Sequence, residues 1–99
     1  MNAEPIVAEL YTSEGCSLCR EMTSVLERLR GEYPLAIRKI DIRADASLRD
    51  RFAWEIPVLY LDGRKAFKYR VSEAALRRKL TFLLWQRRIL GVAAKETGR

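Results

Sequence analysis

Two cysteines separated by two residues constrain the fold of this 99-residue chain more than any other feature. Cys16 and Cys19 follow the dense apolar run Ile6–Thr12, which predicts a buried strand ending in a polar turn. After the pair, apolar residues recur at the spacing of one helical face: Leu18, Met22, Val25, Leu26 and Leu29. The cysteines therefore lie where a strand passes into the first turn of a helix, which is predicted to end near Gly31.

The segment after this helix predicts a crossover connection. Residues 35–42 indicate a second strand, parallel to the first because a helix separates the two in sequence. Asp45 or Ser47 is a suitable cap for a short helix that is predicted to run through about Ala53. Residues 56–61 then form an apolar run that predicts a third strand.

The last third of the chain predicts a hairpin and a long helix. Asp62 and Gly63 are the strongest hairpin signal in the sequence and lead into a fourth strand over residues 65–69. Ser72 is a good N-cap for a helix that extends to about Leu90. The order β-α-β-α-β-β-α predicts an α/β fold with a four-stranded mixed sheet flanked by helices.

Length and composition suit one compact domain over residues 1–90, followed by a polar tail over residues 91–99. The hydrophobic share of 48% supplies enough apolar side chains for a single core. The opening residues carry Glu4 and Glu9 and lack the basic start of a secretory signal, so a cytoplasmic location is expected.

In a reducing compartment, closely spaced cysteines indicate redox chemistry or metal binding. The sequence has no histidine and only two cysteines, so one chain cannot complete the usual four-ligand zinc site. Reversible disulfide formation is therefore the favoured interpretation. The alternative is that both cysteines are small apolar side chains near a helix start.

The two cysteines are predicted to have different roles. Cys16 lies at the helix end, where backbone N–H groups and the helix dipole lower a thiol pKa, so it is the candidate nucleophile. Cys19 lies one turn further along the apolar face and suits the resolving role. Glu14 would raise the pKa of Cys16 and Arg20 would lower it, and the sequence leaves the balance open.

The segment LYTSEGCSLCR, residues 10–20, resembles the active-site region of glutaredoxin-like proteins of the thioredoxin superfamily. The similarity covers about residues 5–80, and Leu18 before the second cysteine is most similar to the small group called DUF836. Asp62, Gly63 and Arg64 resemble the family's hairpin. A second stretch resembles the family's hydrophobic residue, cis-proline and following strand residue: Ile56, Pro57 and Val58.

This resemblance implies a thioredoxin-like fold of glutaredoxin size that reduces protein or glutathione mixed disulfides through a Cys16 and Cys19 dithiol. No cofactor is implied, and glutathione enters as a co-substrate. The cis-proline loop is expected to lie beside the dithiol, with the backbone of Ile56 pairing with an extended substrate. The candidate substrate-binding residues are Ile56, Pro57, Val58 and Arg20.

The sequence departs from the family at three places. The two residues between the cysteines include no proline. The resemblance therefore implies the type of reaction for this chain but not the family's redox potential. Glutathione-using members usually carry a basic residue before the first cysteine and paired glycines before the last helix, where this chain has Ser13, Glu14 and residues 69–72. Basic residues elsewhere are candidates for binding a substrate carboxylate, with ordinary solvated charges as the alternative: Arg20, Arg51, Lys68 and Arg70.

The last helix carries two apolar stripes in the basic half of the chain. Residues 1–50 hold seven Lys or Arg against nine Asp or Glu, and residues 51–99 hold twelve against four, giving net charges of −2 and +8. The first stripe is expected to meet the sheet: Leu76, Leu80, Leu83 and Leu84. The second is a candidate homodimer surface, membrane-surface helix or protein docking site, or it covers the sheet edge: Phe82, Trp85 and Ile89. Nucleic acid is not expected as a partner.

Two other functions remain open at this stage. The first is a non-catalytic interaction module that keeps the fold and binds partners through its basic last helix. The second is an iron–sulfur cluster shared across a dimer, with thiolates from two chains or from glutathione.

Overall fold

The computed structural model describes residues 4–96 as four strands, three α-helices and one short 3₁₀ turn. The strands align in the order β2-β1-β3-β4, with β1 and β2 parallel and β3 antiparallel to both β1 and β4. The strands are β1 Ile6–Thr12, β2 Leu35–Asp41, β3 Val58–Leu61 and β4 Arg64–Lys68. The helices are α1 Ser17–Arg30, α2 Ala46–Phe52 and α3 Glu73–Glu96, and the 3₁₀ turn is Ile42–Ala44. This is the predicted α/β order with a mixed sheet.

The strand side chains alternate between two packed layers on opposite faces of the sheet. In β1, Ile6 and Leu10 are fully buried in the larger core cluster, while Tyr11 packs against the smaller one. The larger cluster includes Leu26 from α1 and Leu80 from α3. Both long helices therefore pack on one face, as the 3.6-residue spacing of their apolar side chains predicts.

The opposite face is covered by the short helix α2. Phe52 of α2 is buried with Ile42 and Val58 in the smaller cluster. The ring of Phe52 stacks on the Tyr11 ring at a centroid distance of 4.4 Å. Because helices cover both faces of the sheet, the ends of the strands are the part of the sheet where a site can form.

The predicted hairpin is present between β3 and β4. Asp62 and Gly63 both have positive φ, 51° and 83°, as a type I′ turn requires. The Asp62 carboxylate also accepts a hydrogen bond from the Val7 N–H at 2.9 Å, which ties the hairpin to β1. The Asp-Gly pair therefore sets both the turn and its attachment to the sheet.

Replacing Gly63 by alanine is expected to lower the free energy of unfolding by about 1–2 kcal/mol, because a Cβ is strained at positive φ. No atom lies within 4 Å of the Cβ position, so the cost is conformational alone. Gly31→Ala is the matched control, since Gly31 has φ −73° and its Cβ would meet only Arg28 O at 3.6 Å. Urea unfolding measures the free energy of unfolding of both variants. Equal effects of the two substitutions would contradict the assigned strain at positive φ.

Several element boundaries differ from the sequence prediction. The second strand ends at Asp41 instead of residue 42, because the Asp41 carboxylate accepts from Arg43 N–H and starts the 3₁₀ turn. The third strand begins at Val58, after Pro57, whose nitrogen has no hydrogen to donate to a ladder. The fourth strand ends at Lys68, since Tyr69 adopts φ 69° and leaves the extended conformation.

The last helix is longer than predicted. Ser72 caps it, with its Oγ accepting from Ala75 N–H at 3.0 Å, and the helix continues to Glu96 instead of ending near Leu90. Ala, Lys and Glu are strong helix formers, which explains why residues 91–96 of the predicted polar tail are helical. Residues 97–99 of that tail lie outside the described residues. No helix within residues 4–96 is long and apolar enough to cross a bilayer.

Candidate active site

Cys16 is the N-cap residue of α1 and is joined to Cys19 by a disulfide across the first helical turn. The Cys16 backbone is extended, with φ −96° and ψ 110°, and the helix begins at the next residue, Ser17. The two Cα atoms are 5.2 Å apart, within the usual range for a disulfide. The Cys16 Sγ also accepts a hydrogen bond from Cys19 N–H at 3.1 Å. The sulfur therefore replaces the oxygen that usually caps a helix.

The two sulfurs differ in their access to solvent. Cys16 is half-buried, whereas Cys19 is only 2% exposed beside Met22 on the buried side of α1. Thr23 Oγ1 donates to the Cys19 carbonyl at 2.9 Å and holds the first two turns together. A substrate arriving from solvent therefore meets the first cysteine of the pair.

An open cleft of about 790 Å³ lies beside the disulfide. One wall is the turn before α1 and the start of the helix, and the other is the end of β2. The parallel register sets this arrangement, because Leu10 pairs with Lys39 and Thr12 with Asp41. The lining residues are Thr12, Ser13, Glu14, Gly15, Cys16, Cys19, Arg20, Thr23, Ser24, Lys39, Asp41 and Arg43.

Arg43 neutralises the acidic groups of this cleft. Its guanidinium donates to Glu14 at 2.9 Å and to Asp41 at 2.7 Å. Hydrogen bonds from Arg43 hold the pKa of Asp41 at about 2, below its usual 3.8. The same two carboxylates raise the pKa of Arg43. The Glu14 carboxylate, which on the sequence alone would oppose a Cys16 thiolate, is thus paired with a cation.

Replacing Arg43 by glutamine is expected to raise the pKa of Asp41 from about 2 toward 3.8. In the native protein the pair stabilises the fold above the unfolded pKa of Asp41, and this contribution disappears as pH falls through about 2. A carboxyl carbon NMR titration measures the shift. Arg38→Gln is the matched control, because Arg38 pairs with Glu9. An unchanged Asp41 titration in the Arg43 variant would contradict the assigned cause.

The Ile56–Pro57 segment lies at the same end of the sheet as the dithiol. Val58 pairs with Tyr11 near the end of β1, so Pro57 is placed beside the strand end that leads to Cys16. The Ile56–Pro57 peptide bond is cis, and Pro57 is fully buried. The Pro57 carbonyl accepts from Tyr69 N–H at 2.8 Å, which anchors the loop on the β4 side.

Of the four basic candidates, the structure places only Arg20 on the cleft beside Cys16. Arg51 lies over the Phe52 ring, with its guanidinium 4.9 Å from the ring centroid. Lys68 lies 5.3 Å from the centre of the Tyr69 ring. Arg70 approaches Glu21 at 3.8 Å beside a smaller cavity of about 280 Å³ that Leu18 also lines.

Two basic residues of the cleft, Lys39 and Arg43, were missed by the sequence prediction. Lys39 lies near the end of β2 and Arg43 lies in the 3₁₀ turn that follows it, and the predicted parallel pairing of β2 with β1 brings both to this edge. The strand order alone could have indicated them, since the carboxyl ends of parallel strands lie at one edge of a sheet. Among the described residues, no group of three His, Cys, Asp or Glu side chains is placed to hold a metal ion.

Solved structures with the same architecture define the class of fold. A protein from Nitrosomonas europaea, Ne2328, superposes with a TM-score of 0.69 at 24% identity, over 81% of this chain and 96% of that one. A mutant thioredoxin from Halobacterium salinarum superposes with a TM-score of 0.58 at 23% identity, over 78% and 73% of the two chains. The fold is therefore thioredoxin-like.

Sequence comparison then identifies the family. The model of the glutaredoxin-like domain, DUF836, matches residues 8–81, and the chain belongs to this family. The uncharacterized protein Rv0508 of Mycobacterium tuberculosis is 35% identical over 74 residues, covering 70% of this chain and 76% of that protein. The uncharacterized protein Mb0520 of Mycobacterium bovis matches to the same extent. The predicted family is confirmed.

Proposed function

We propose that this protein is a thiol–disulfide oxidoreductase that reduces protein disulfides or glutathione mixed disulfides. The Cys16 thiolate attacks one substrate sulfur, so that a mixed disulfide forms as the substrate S–S bond breaks, and the departing thiolate takes a proton from water. Cys19 then attacks the Cys16 sulfur, releases the second substrate thiol and closes the intramolecular disulfide. Two electrons pass to the substrate, and two glutathione molecules or an external dithiol return them.

One observation carries this proposal: a half-buried sulfur at the helix N-terminus is bonded to a buried sulfur one turn further on. A nucleophile must meet the substrate, and Cys16 is the more accessible of the pair. A resolving thiol acts only within the mixed disulfide, and the buried position of Cys19 shields it from other substrates. The Cys16–Cys19 disulfide is the product that this reaction would leave.

The loop before β3 offers a place for an extended peptide substrate to bind. Within residues 4–96, neither the N–H nor the carbonyl of Ile56 has a backbone hydrogen-bond partner. These groups are available to pair with a peptide strand laid beside Pro57. Val58 is buried, so its role would be to fix the loop, while Arg20 on the cleft would bind a substrate carboxylate.

The choice between glutathione and protein substrates depends on the surroundings of the dithiol. At the positions where glutathione-using relatives carry a basic residue and paired glycines, this chain has Glu14 and residues 69–72. Of these, Glu14 is already paired with Arg43. This arrangement favours a protein disulfide as the main substrate, with glutathione as the reductant in a cytoplasmic setting.

Turnover on two substrates tests the proposal. The reduced protein is offered a glutathionylated peptide and a protein disulfide, with glutathione and its reductase recycling the dithiol. Wild-type protein is expected to turn over, faster on the protein disulfide, and protein alkylated beforehand with iodoacetamide should be inactive. Equal rates for the native and the alkylated protein would overturn the proposal. Preference for the glutathionylated peptide would overturn the substrate assignment.

The α3 side chains that face away from the core favour a second candidate function, that of an interaction module. This function needs no turnover and is compatible with the thiol chemistry. Loss of partner binding with unchanged disulfide reduction would separate the two.

A further inference from the structure

The outer side of α3 carries a row of exposed apolar side chains that the fold does not use. Phe82, Trp85 and Ile89 follow the spacing i, i+3 and i+7, and their exposed fractions are 46%, 55% and 46%. The Phe82 and Trp85 rings lie 5.9 Å apart between centroids. Phe82, Trp85 and Ile89 are called the apolar ridge.

The apolar ridge is separate from the surface that folds the domain. The side of α3 that meets the core contains Leu76 and Leu80, both fully buried, and the ridge lies on the opposite side of the helix. The family match ends at residue 81, and the ridge begins at Phe82. The ridge therefore lies just beyond the segment that the family model matches.

The charge around the ridge is positive. No acidic residue occurs between Glu73 and Glu96 in the sequence. Two α3 arginines are engaged within the domain: Arg77 pairs with Glu32 and Glu73, and Arg87 pairs with Asp62.

Three other cations flank the ridge without a carboxylate partner in the part of the chain that the structure describes: Arg78, Lys79 and Arg88. Lys79 Nζ lies 5.8 Å from the centre of the Phe82 ring. The ridge thus combines exposed aromatic rings with unneutralised positive charge.

A second copy of this chain is a poor occupant. Two ridges packed together would bring three uncompensated cations from each copy into one interface without intervening carboxylates. Like charges brought together at an interface oppose association. The complementary surface must therefore be anionic.

We propose that the apolar ridge docks on the surface of a membrane rich in anionic phospholipid. Tryptophan and phenylalanine rings partition into the interfacial region, while lysine and arginine bind the phosphate groups above it. The ridge projects outward on the free side of a helix, a shape that suits a planar, deformable surface. Arg78, Lys79 and Arg88 lie within reach of headgroups when the rings enter.

Vesicle sedimentation of the full chain tests this proposal. The probes are vesicles of phosphatidylglycerol with phosphatidylcholine and vesicles of phosphatidylcholine alone. Binding is expected to the anionic vesicles only and to weaken as salt rises. Trp85→Ser is expected to reduce binding by about tenfold. Trp54→Ser is the matched control and should bind as the wild type does, because Trp54 is 90% exposed but lies outside the ridge.

A charge substitution and a spectroscopic measurement complete the test. Arg88→Gln is expected to weaken binding by about fivefold, and the control Arg64→Gln on β4 should have little effect. The chain has two tryptophans, so Trp54→Phe leaves Trp85 as the single tryptophan, which is excited selectively at wavelengths where tyrosine does not absorb. Its fluorescence should shift to shorter wavelength on anionic vesicles.

Four results would overturn the proposal. The first is no binding to anionic vesicles at low salt, and the second is an equal loss of vesicle binding in the Trp85→Ser and Trp54→Ser variants. The third is a dimer in sedimentation equilibrium that Trp85→Ser dissociates. The fourth is displacement of the protein from vesicles by polyglutamate at equal charge. The third result would assign the ridge to a second copy, and the fourth to an acidic protein. Disulfide reduction in solution is measured separately, and its presence or absence does not bear on these outcomes.

Discussion

Disulfide turnover is expected to fall to the uncatalysed background when Cys16 is replaced by serine. The serine hydroxyl is close to the thiol in size and supplies a capping oxygen in place of the sulfur, but it is not ionised near neutral pH and cannot form the mixed disulfide. Cys19→Ser should behave differently, because Cys16 still attacks and only the intramolecular release is lost. The rate of reduction of a protein disulfide, with a stoichiometric amount of reductant present, is measured for both variants.

Circular dichroism is the control for this comparison. Both serine variants should retain the helical signal of the wild type, since serine is close to cysteine in size and can occupy either position without disrupting the helix. A Cys16→Ser variant that folds and keeps more than background turnover would show that Cys16 is not the nucleophile.

Replacing Leu26 by alanine is expected to lower the free energy of unfolding by about 2–5 kcal/mol, the largest stability effect predicted here. Leu26 is fully buried on α1, within the cluster that includes Leu10, Leu59 and Leu80. Its truncation removes apolar packing within this cluster, and the surrounding helices and sheet can only partly close the cavity. Urea unfolding followed by circular dichroism gives the change.

Leu90→Ala is the matched control for the core prediction. Leu90 is 60% exposed on α3, so its truncation should change the free energy of unfolding by less than about 0.5 kcal/mol. Similar losses in the two variants would contradict the assignment of Leu26 to the core.

Elements with strong local signals could be predicted from sequence. The dense apolar run from Ile6 to Thr12 predicts β1, the Asp62–Gly63 pair predicts the hairpin, and Ser72 predicts the start of α3. Each of these depends on residues close together in the chain. The two stripes of α3 were also predictable, because helical periodicity separates them without knowledge of the partner surface.

The walls of the cleft depend on contacts distant in sequence, and they were only partly predicted. Arg20 follows the cysteines directly and was identified, whereas Lys39 and Arg43 join the cleft through the register of β1 with β2. The pairing of Glu14 with Arg43 joins residues 29 positions apart. Propensity and periodicity contain no information on such a pair, so its effect on the charge beside Cys16 required the structure.

The most direct test of the central claim is mass spectrometry of a trapped intermediate. Reduced Cys19→Ser protein is mixed with a substrate disulfide, quenched in acid and mapped by peptide digestion. A stable mixed disulfide on Cys16 is expected, while wild-type protein treated in the same way should show the Cys16–Cys19 disulfide. The absence of any adduct on Cys16, with wild-type protein left as free thiols, would contradict the role of Cys16 as the nucleophile.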